Sequence, residues 1–340
     1  MNDIGISCYF LDVGQGTSQV ILLGKRRAIV IDGGPDPQAR VPLTLLRRFV
    51  DTIEALIVSH NDADHDTGAC EILTNYQDSL RALYFLEDRP RGDPRIYQRA
   101  NEINKARLNA KRPEIEIFRL ETSGNRPGRI YEDSARGIVL DLVYPNFAAN
   151  RRRTRPNSTS GILRLTYGTR RLVFSGDAPV AAWKWMIRAQ LIEPPVVCDV
   201  MTVPHHGGGI GSERQLRWLY TKAVRCTYAI VSVGTSNHHG HPSEYGVRAL
   251  RDESRAKILC TQMTSRCCDD AELLRRNWLV PDIHSQSHPS IRPDAPHVAC
   301  AGTVVAEIGP DVVTIDVWRK HQDEVDRLRG MDIGHPLCRV

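Results

Sequence analysis

The segment His60-Asn61-Asp62-Ala63-Asp64-His65 places four candidate metal ligands within six residues. Two imidazoles and two carboxylates suit a divalent transition metal. Carboxylates this close repel one another, and a cation removes that cost. A polar loop with capping aspartates would explain the hexapeptide by itself, but three further segments repeat its theme. Asp177 follows the apolar run ending at Phe174. His205 and His206 follow the run ending at Val203, and His238, His239 and His241 follow the run ending at Val233. Each run reads as a strand, and layered α/β folds gather their sites at strand ends. A lone histidine is more often structural, whereas donors at the ends of four predicted strands point to a metal centre. Donors spaced like those of 60–65 would scatter over several faces of a helix. That segment is therefore expected to be a loop after the strand 55–58.

The elements that must hold these residues alternate along the chain. A strand is expected at 6–11, a hairpin at 20–23 and 28–31, and a helix at 41–50. Further strands fall at 82–86, 114–120, 137–143, 161–167, 171–174, 196–203 and 229–233. Helices fall at 94–111, 178–190, 212–222 and 243–253. No polar linker or internal repeat divides them, so one layered α/β body is expected. Residues 1–318 form that domain, with a Cys/His-rich insertion at 260–300 and strands again at 302–308 and 312–317. Residues 319–340 follow as a charged helix and tail.

A chain of 340 residues allows one large domain or two small ones, at roughly 100–200 residues per domain. With 41% apolar and 25% charged residues, collagen-like, low-complexity and disordered classes are excluded. No apolar run approaches the ~20 residues that span a bilayer, so no membrane insertion is expected. The N-terminus shows no basic-then-apolar leader, so a cytoplasmic protein is expected. The net charge of +5 is mild. Its arginines concentrate between Arg89 and Arg112 and at Arg151, Arg152, Arg153 and Arg155. Such patches can follow a phosphate backbone, and a solvated face explains them as well. Of the nine cysteines, Cys8, Cys70, Cys198 and Cys226 lie among apolar residues and read as buried thiols. Cys260, Cys267, Cys268 and Cys300, with His284, His288 and His297, leave three readings open: a structural zinc, reduced thiols or a disulfide.

The order of these motifs resembles the metallo-β-lactamase superfamily, in its ComEC-like branch. The matching residues are Phe10-Leu11-Asp12-Val13-Gly14-Gln15-Gly16, Ile31-Asp32-Gly33-Gly34, the HxDxDH run from His60 to His65, and Asn157-Ser158-Thr159-Ser160 followed by Leu163 and Tyr167-Gly168. Ser175-Gly176-Asp177, Val203-Pro204-His205-His206-Gly207 and Gly240-His241-Pro242 complete the set. The resemblance implies an αββα sandwich with two metal ions, zinc or manganese, at one edge. His60, Asp62 and one of His205 and His206, with His205 preferred, would hold one ion. Asp64, His65 and His241 would hold the other, and Asp177 would bridge them. The sequence departs from the superfamily pattern in having Asp62 in place of a second histidine. It also has no histidine between His65 and His205, a place left to Asn157, Ser160 or water.

Two such ions can share a hydroxide and clamp an in-line displacement, so a metal-dependent hydrolase is expected. A phosphodiester suits the site because its anionic oxygens can bind the metals. Asp64 and Asp177 would position the nucleophile, and His241 or His238 would protonate the leaving oxygen. Asn157, Ser160 and His238 are candidate substrate contacts. Nucleic acid or a nucleotide is the first substrate expected. The alternatives are a thioester or lactone hydrolase of the same fold, and a non-catalytic metal-binding module.

Overall fold

The computed structural model describes residues 5–36, 38–87, 93–124, 126–146, 156–269, 271, 297–331 and 334–338. The first strands are β1 (Ile6–Phe10), β2 (Gln19–Gly24), β3 (Arg27–Ile31), β4 (Thr52–Ile57), β5 (Leu80–Phe85) and β6 (Glu116–Arg119). Next come β7 (Gly128–Asp133), β8 (Ile138–Tyr144), β9 (Ile162–Tyr167), β10 (Arg170–Phe174), β11 (Val196–Thr202), β12 (Val224–Val231) and β13 (Lys257–Cys260), and last β14 (Val304–Ile308) and β15 (Val313–Ile315). They form two sheets, ordered β15-β14-β1-β2-β3-β4-β5-β6 and β13-β12-β11-β10-β9-β8-β7.

The alternation of apolar side chains explains the layering. Successive residues of a strand point to opposite faces. In β3, Ile29 and Ile31 face the second sheet, packing in one cluster with its Phe174 and Leu163. Ala28 and Val30 face the other way, onto Leu45, Leu46 and Ile72 of the helices. Those helices are α1 (Arg40–Phe49), α2 (Ala63–Asn75) and α3 (Arg95–Asn109). The outer face of the second sheet is covered by α4 (Val180–Arg188), α5 (Glu213–Trp218), α6 (Glu244–Arg248) and α7 (Val317–Arg329). Trp183, Leu216, Val247 and Val325 supply their share of that core. The result is the αββα sandwich.

Strands β3, β4, β5 and β6 are parallel neighbours, as are β10, β11, β12 and β13. Their C-terminal ends therefore open on a shared edge in each sheet, the place where such folds bind ligands. Sequence expectations change here in three places, one of them β13, since the sequence pattern predicts no strand at 257–260. The 60–65 segment is a loop only as far as Asp62, because α2 begins at Ala63. Strand β7, absent from the sequence expectations, pairs with β8 at the sheet edge. The basic stretch also reads differently. Arg99 pairs with Glu102, Arg112 pairs with Asp78, and Arg107 is buried. Arg89, Arg91 and the cluster at 151–155 lie outside the described residues. Among the described residues no helix is long and apolar enough to cross a membrane.

Candidate metal centre

Strand β4 runs into Ser59 and His60, which are buried, and Asp62 stands at the N-cap position of α2. Its carboxylate makes no capping hydrogen bond and instead lies 3.5 Å from His60 Nε2. The first turn of α2 then carries Asp64 and His65. The backbone fixes this turn from outside the helix. Thr17 N–H donates to the Asp64 carbonyl at 3.1 Å, and Gly33 N–H to the His65 carbonyl at 2.9 Å.

Asp177 follows β10 and is the hub. Its Oδ2 lies 3.6 Å from His60 Nε2 and 3.8 Å from His205 Nε2. Its Oδ1 lies 3.4 Å from His65 Nε2 and 3.9 Å from His206 Nε2. Asp64 adds a carboxylate 3.0 Å from His206 Nε2. Two groups have their donor atoms within 4.8 Å of one another: His60, His65 and Asp177, and Asp64, His65 and His206. His205 and His206 both have left-handed backbones, with φ of 53° and 54°. Non-glycine residues in that region store strain of roughly 1–3 kcal/mol each, and such strain clusters at functional sites.

The donor set fits a metal ion. His60 Nε2, His65 Nε2 and Asp177 Oδ1 are buried and have no hydrogen-bond partner. Buried polar atoms are otherwise paired, so three orphans converging on one point call for a cation. The opposite ring nitrogens are occupied. Asp32 Oδ2 accepts from His65 Nδ1 at 2.8 Å, and the Ser232 carbonyl accepts from His206 Nδ1 at 2.8 Å. That arrangement aims each Nε2 lone pair into the site. Asp32 is itself held by the Ser59 amide and hydroxyl, both at 2.7 Å.

Charge follows geometry. Burial disfavours the Asp177 anion, but His65, His60 and His206 outweigh it and hold its pKa well below the usual carboxylate range. Burial likewise opposes charge on His65, yet Asp32, Asp177 and Asp64 raise its pKa. His206 is raised in the same way, by Asp177 and Asp64 against burial.

Several expected site residues take other places. Ser160 is fully buried, and its Oγ accepts from the Asp177 amide at 2.8 Å and lies 3.4 Å from His60 Nδ1. A buried hydroxyl cannot contact substrate, so Ser160 positions His60 and Asp177. Both histidines of the 205/206 pair face Asp177, rather than one. His241 is in neither donor group. Its ring sits 5.0 Å from that of His205, against Gly208, where a Cβ would come within 2.3 Å of it. Burial and the neighbouring histidines lower its pKa to about 4. It is therefore neutral at pH 7 and poorly suited to donate a proton. His238 is exposed, and Asn157 is half-buried on the turn Pro156–Thr159.

The expected zinc set also comes apart. Cys260, Cys267, Cys268, His297 and Cys300 are buried. No three donors of this region lie within 4.8 Å of one another among the described residues. Cys300 Sγ instead meets His321 Nε2 at 3.2 Å, and Cys260, Cys267, Cys268 and Cys300 pack with Cys338 in the outer core. His284 and His288 lie outside the described residues.

Asp32 and Ser59 are the site residues the sequence reading left unassigned. The available signal was an aspartate at the end of a strand, in Ile31-Asp32-Gly33-Gly34. Asp32→Asn is expected to weaken metal binding about 10–100-fold, as losses of a ligand's supporting partner do. A competitive chelator titration would measure it, and unchanged affinity would remove Asp32 from this role.

The model of the metallo-beta-lactamase superfamily matches residues 11–208, more than half of the chain, and the chain belongs to that superfamily. Competence protein ComA of Neisseria gonorrhoeae is 22% identical over 252 residues, 71% of this chain. The chain spans only 30% of that relative's length. Among solved structures, the short form of human tRNase Z is similar at 12% identity, over 76% of this chain and 93% of that one, with a TM-score of 0.41. Igni18, a metallo hydrolase from Ignicoccus hospitalis, is similar at 13% identity, over 75% and 94% of the two chains, with a TM-score of 0.45. Members of this superfamily are generally metal-dependent hydrolases.

Proposed function

We propose that the protein is a metal-dependent phosphodiesterase with two divalent ions. The observation that carries this reading is the division of donors around Asp177. One oxygen faces His60 and His205, and the other faces His65 and His206. Two divalent ions bound there would supply an activated water and Lewis-acid stabilisation of charge on the reacting phosphoryl group.

The protein's own residues prepare that chemistry. Asp32, Asp62, Asp64 and Asp177 together match the charge of two dications, so an anionic ester would be held by direct contact of its oxygens with the ions. A neutral ring amide gains less from such contacts. Asp32 and the Ser232 carbonyl keep protons on the Nδ1 atoms of His65 and His206, leaving Nε2 of each for a ligand. Ser160 and Ser59 face His60 Nδ1 at 3.4 and 3.2 Å and orient its ring. Four imidazoles and three carboxylates suit either zinc or manganese.

The test combines elemental analysis with turnover of bis-p-nitrophenyl phosphate in added manganese or zinc. The wild type is expected to carry two ions and to cleave the ester. The double variant Asp64→Ala, His65→Ala is expected to lose metal and at least about a hundredfold in rate, some 2.7 kcal/mol of barrier. Metal binding without phosphodiester cleavage would overturn the reading in favour of a thioester or lactone hydrolase, or of a binding module.

A further inference from the structure

We infer that a cavity beside the metal centre binds a nucleobase carrying an exocyclic amine, attached to the phosphodiester under attack. This rests on the phosphodiesterase reading and names the class of substrate. The cavity, of about 270 Å³, lies between α3 and the ends of β5 and β6, lined by Phe85, Glu87, Asp93, Tyr97, Asn101 and Arg119. Pockets for drug-sized ligands run to about 300–1,000 Å³, so this one suits a fragment such as a base.

Register places it next to the metal site. Ile57 of β4 pairs with Tyr84 of β5, and Phe85 pairs with Arg119 of β6. Beyond the strands, Val58 N–H donates to the Tyr84 carbonyl at 2.9 Å, so the chain leading to His60 runs alongside the chain leading to Glu87. Asn61 Nδ2 donates to the Leu86 carbonyl at 2.9 Å and ties the two strand ends together. A base joined through its sugar to a phosphate at the centre would extend toward this cavity.

Its chemistry selects the ligand. Tyr97 stacks on Phe85 with centroids 4.8 Å apart and planes at 21°, and the pair gives the cavity an aromatic wall. Every base has a π-face, so an aromatic wall serves any of them. The Asn101 amide can both donate and accept along a base edge. Glu87 lies 3.6 Å from Arg119, which offsets its charge, and Asp93 is a carboxylate that can accept from an amine. The wall, the amide and the acids together fit a base better than a second phosphate.

The experiment compares the p-nitrophenyl ester of adenosine 5′-phosphate with its thymidine counterpart and with bis-p-nitrophenyl phosphate. It also measures binding of free adenosine to the metal-free protein by saturation-transfer NMR. The adenosine ester is expected to be preferred. Tyr97→Ala should cut its preference over bis-p-nitrophenyl phosphate about tenfold, through KM, and abolish the adenosine signal. Tyr97→Phe should restore both. Asn101→Ala, on a half-buried helix position, should reduce discrimination between adenosine and thymidine esters without touching the Phe85 stack. Adenosine binding lost in Tyr97→Ala supports the subsite even where no ester is cleaved, and in that case only the phosphodiesterase reading fails. Cleavage of bis-p-nitrophenyl phosphate with neither adenosine binding nor preference overturns the subsite and leaves the phosphodiesterase standing.

Discussion

Asp177→Ala is expected to lower turnover by at least about a thousandfold, some 4 kcal/mol of barrier, and to release metal from both donor groups. Among the described residues no other side chain faces all four central imidazoles. Its Oδ2 serves His60 and His205, and its Oδ1 serves His65 and His206. Removing it leaves His60 and His205 without the anion they share, and leaves Asp64 alone between His65 and His206. The pH dependence gives a second readout. His65 and His206 have raised pKa values, and a metal must displace their protons to bind. Apparent affinity in the wild type should therefore keep rising with pH beyond the ordinary imidazole value of about 6.5. The linkage to folding has matching signs. In the metal-free protein, what the two charged histidines contribute is complete below that value and is lost as pH rises through their raised values. The Asp177 carboxylate contributes above the ordinary value of about 3.9, and that share is lost only as pH falls through its depressed value. In Asp177→Ala one of the anions that hold these protons is gone while Asp32 and Asp64 remain, so metal affinity should level off at lower pH. Metal titrations across pH 5–9 would show it. A variant that kept two ions, or an unshifted profile, would remove Asp177 from the hub.

The parts of this centre legible in the sequence are those where ligand chemistry and strand pattern coincide. His60, Asp177 and His205 each follow an apolar run that is a strand in the structure, so type and position could be read together. Helix α2 was hidden because its first turn is Asp64, His65, Asp66 and Thr67, which reads as a polar loop. Its buried side shows only further on, at Gly68, Ala69, Ile72 and Leu73. Strand β7 was hidden for a different reason. It lies at a sheet edge with no fully buried residue, so no apolar alternation marks it. The supporting contacts were invisible in principle. Asp32 reaches Ser59 and His65 across 27 and 33 residues of chain, and His206 reaches the Ser232 carbonyl across 26. Spacing along a sequence cannot report a contact made only when β3, β4 and β12 align. Ser160 shows the converse error. Its type suits a phosphate contact, and only burial reveals that its hydroxyl is spent on Asp177.

Gly68→Ala is expected to destabilise the protein by about 3 kcal/mol, at the upper end for overpacking a tight interface, and to disorganise the metal centre with it. The first turns of α2 lie directly on the loop after β3. Gly68 N–H donates to the Gly34 carbonyl at 2.9 Å, and Gly33 N–H to the His65 carbonyl at 2.9 Å. A Cβ on Gly68 would come within 2.1 Å of the Gly33 carbonyl oxygen, and one on Gly33 within 1.9 Å of the Ala69 nitrogen. These are backbone atoms, which no rotamer change can move aside. The requirement is close approach, since neither glycine has a positive φ. Pushing α2 away breaks both hydrogen bonds and carries Asp64 and His65 off Asp177, because both sit in the first turn of that helix. Stability and metal binding should therefore fall together. Val50→Ala, a truncation in the outer core of the same sheet, should lower stability while leaving metal stoichiometry intact. Denaturant midpoints and metal content, measured on both variants, separate the two effects. A Gly68→Ala protein with full metal content would show that α2 is free to move without disturbing its first turn, contrary to the contacts that Gly33 and Gly34 make with it.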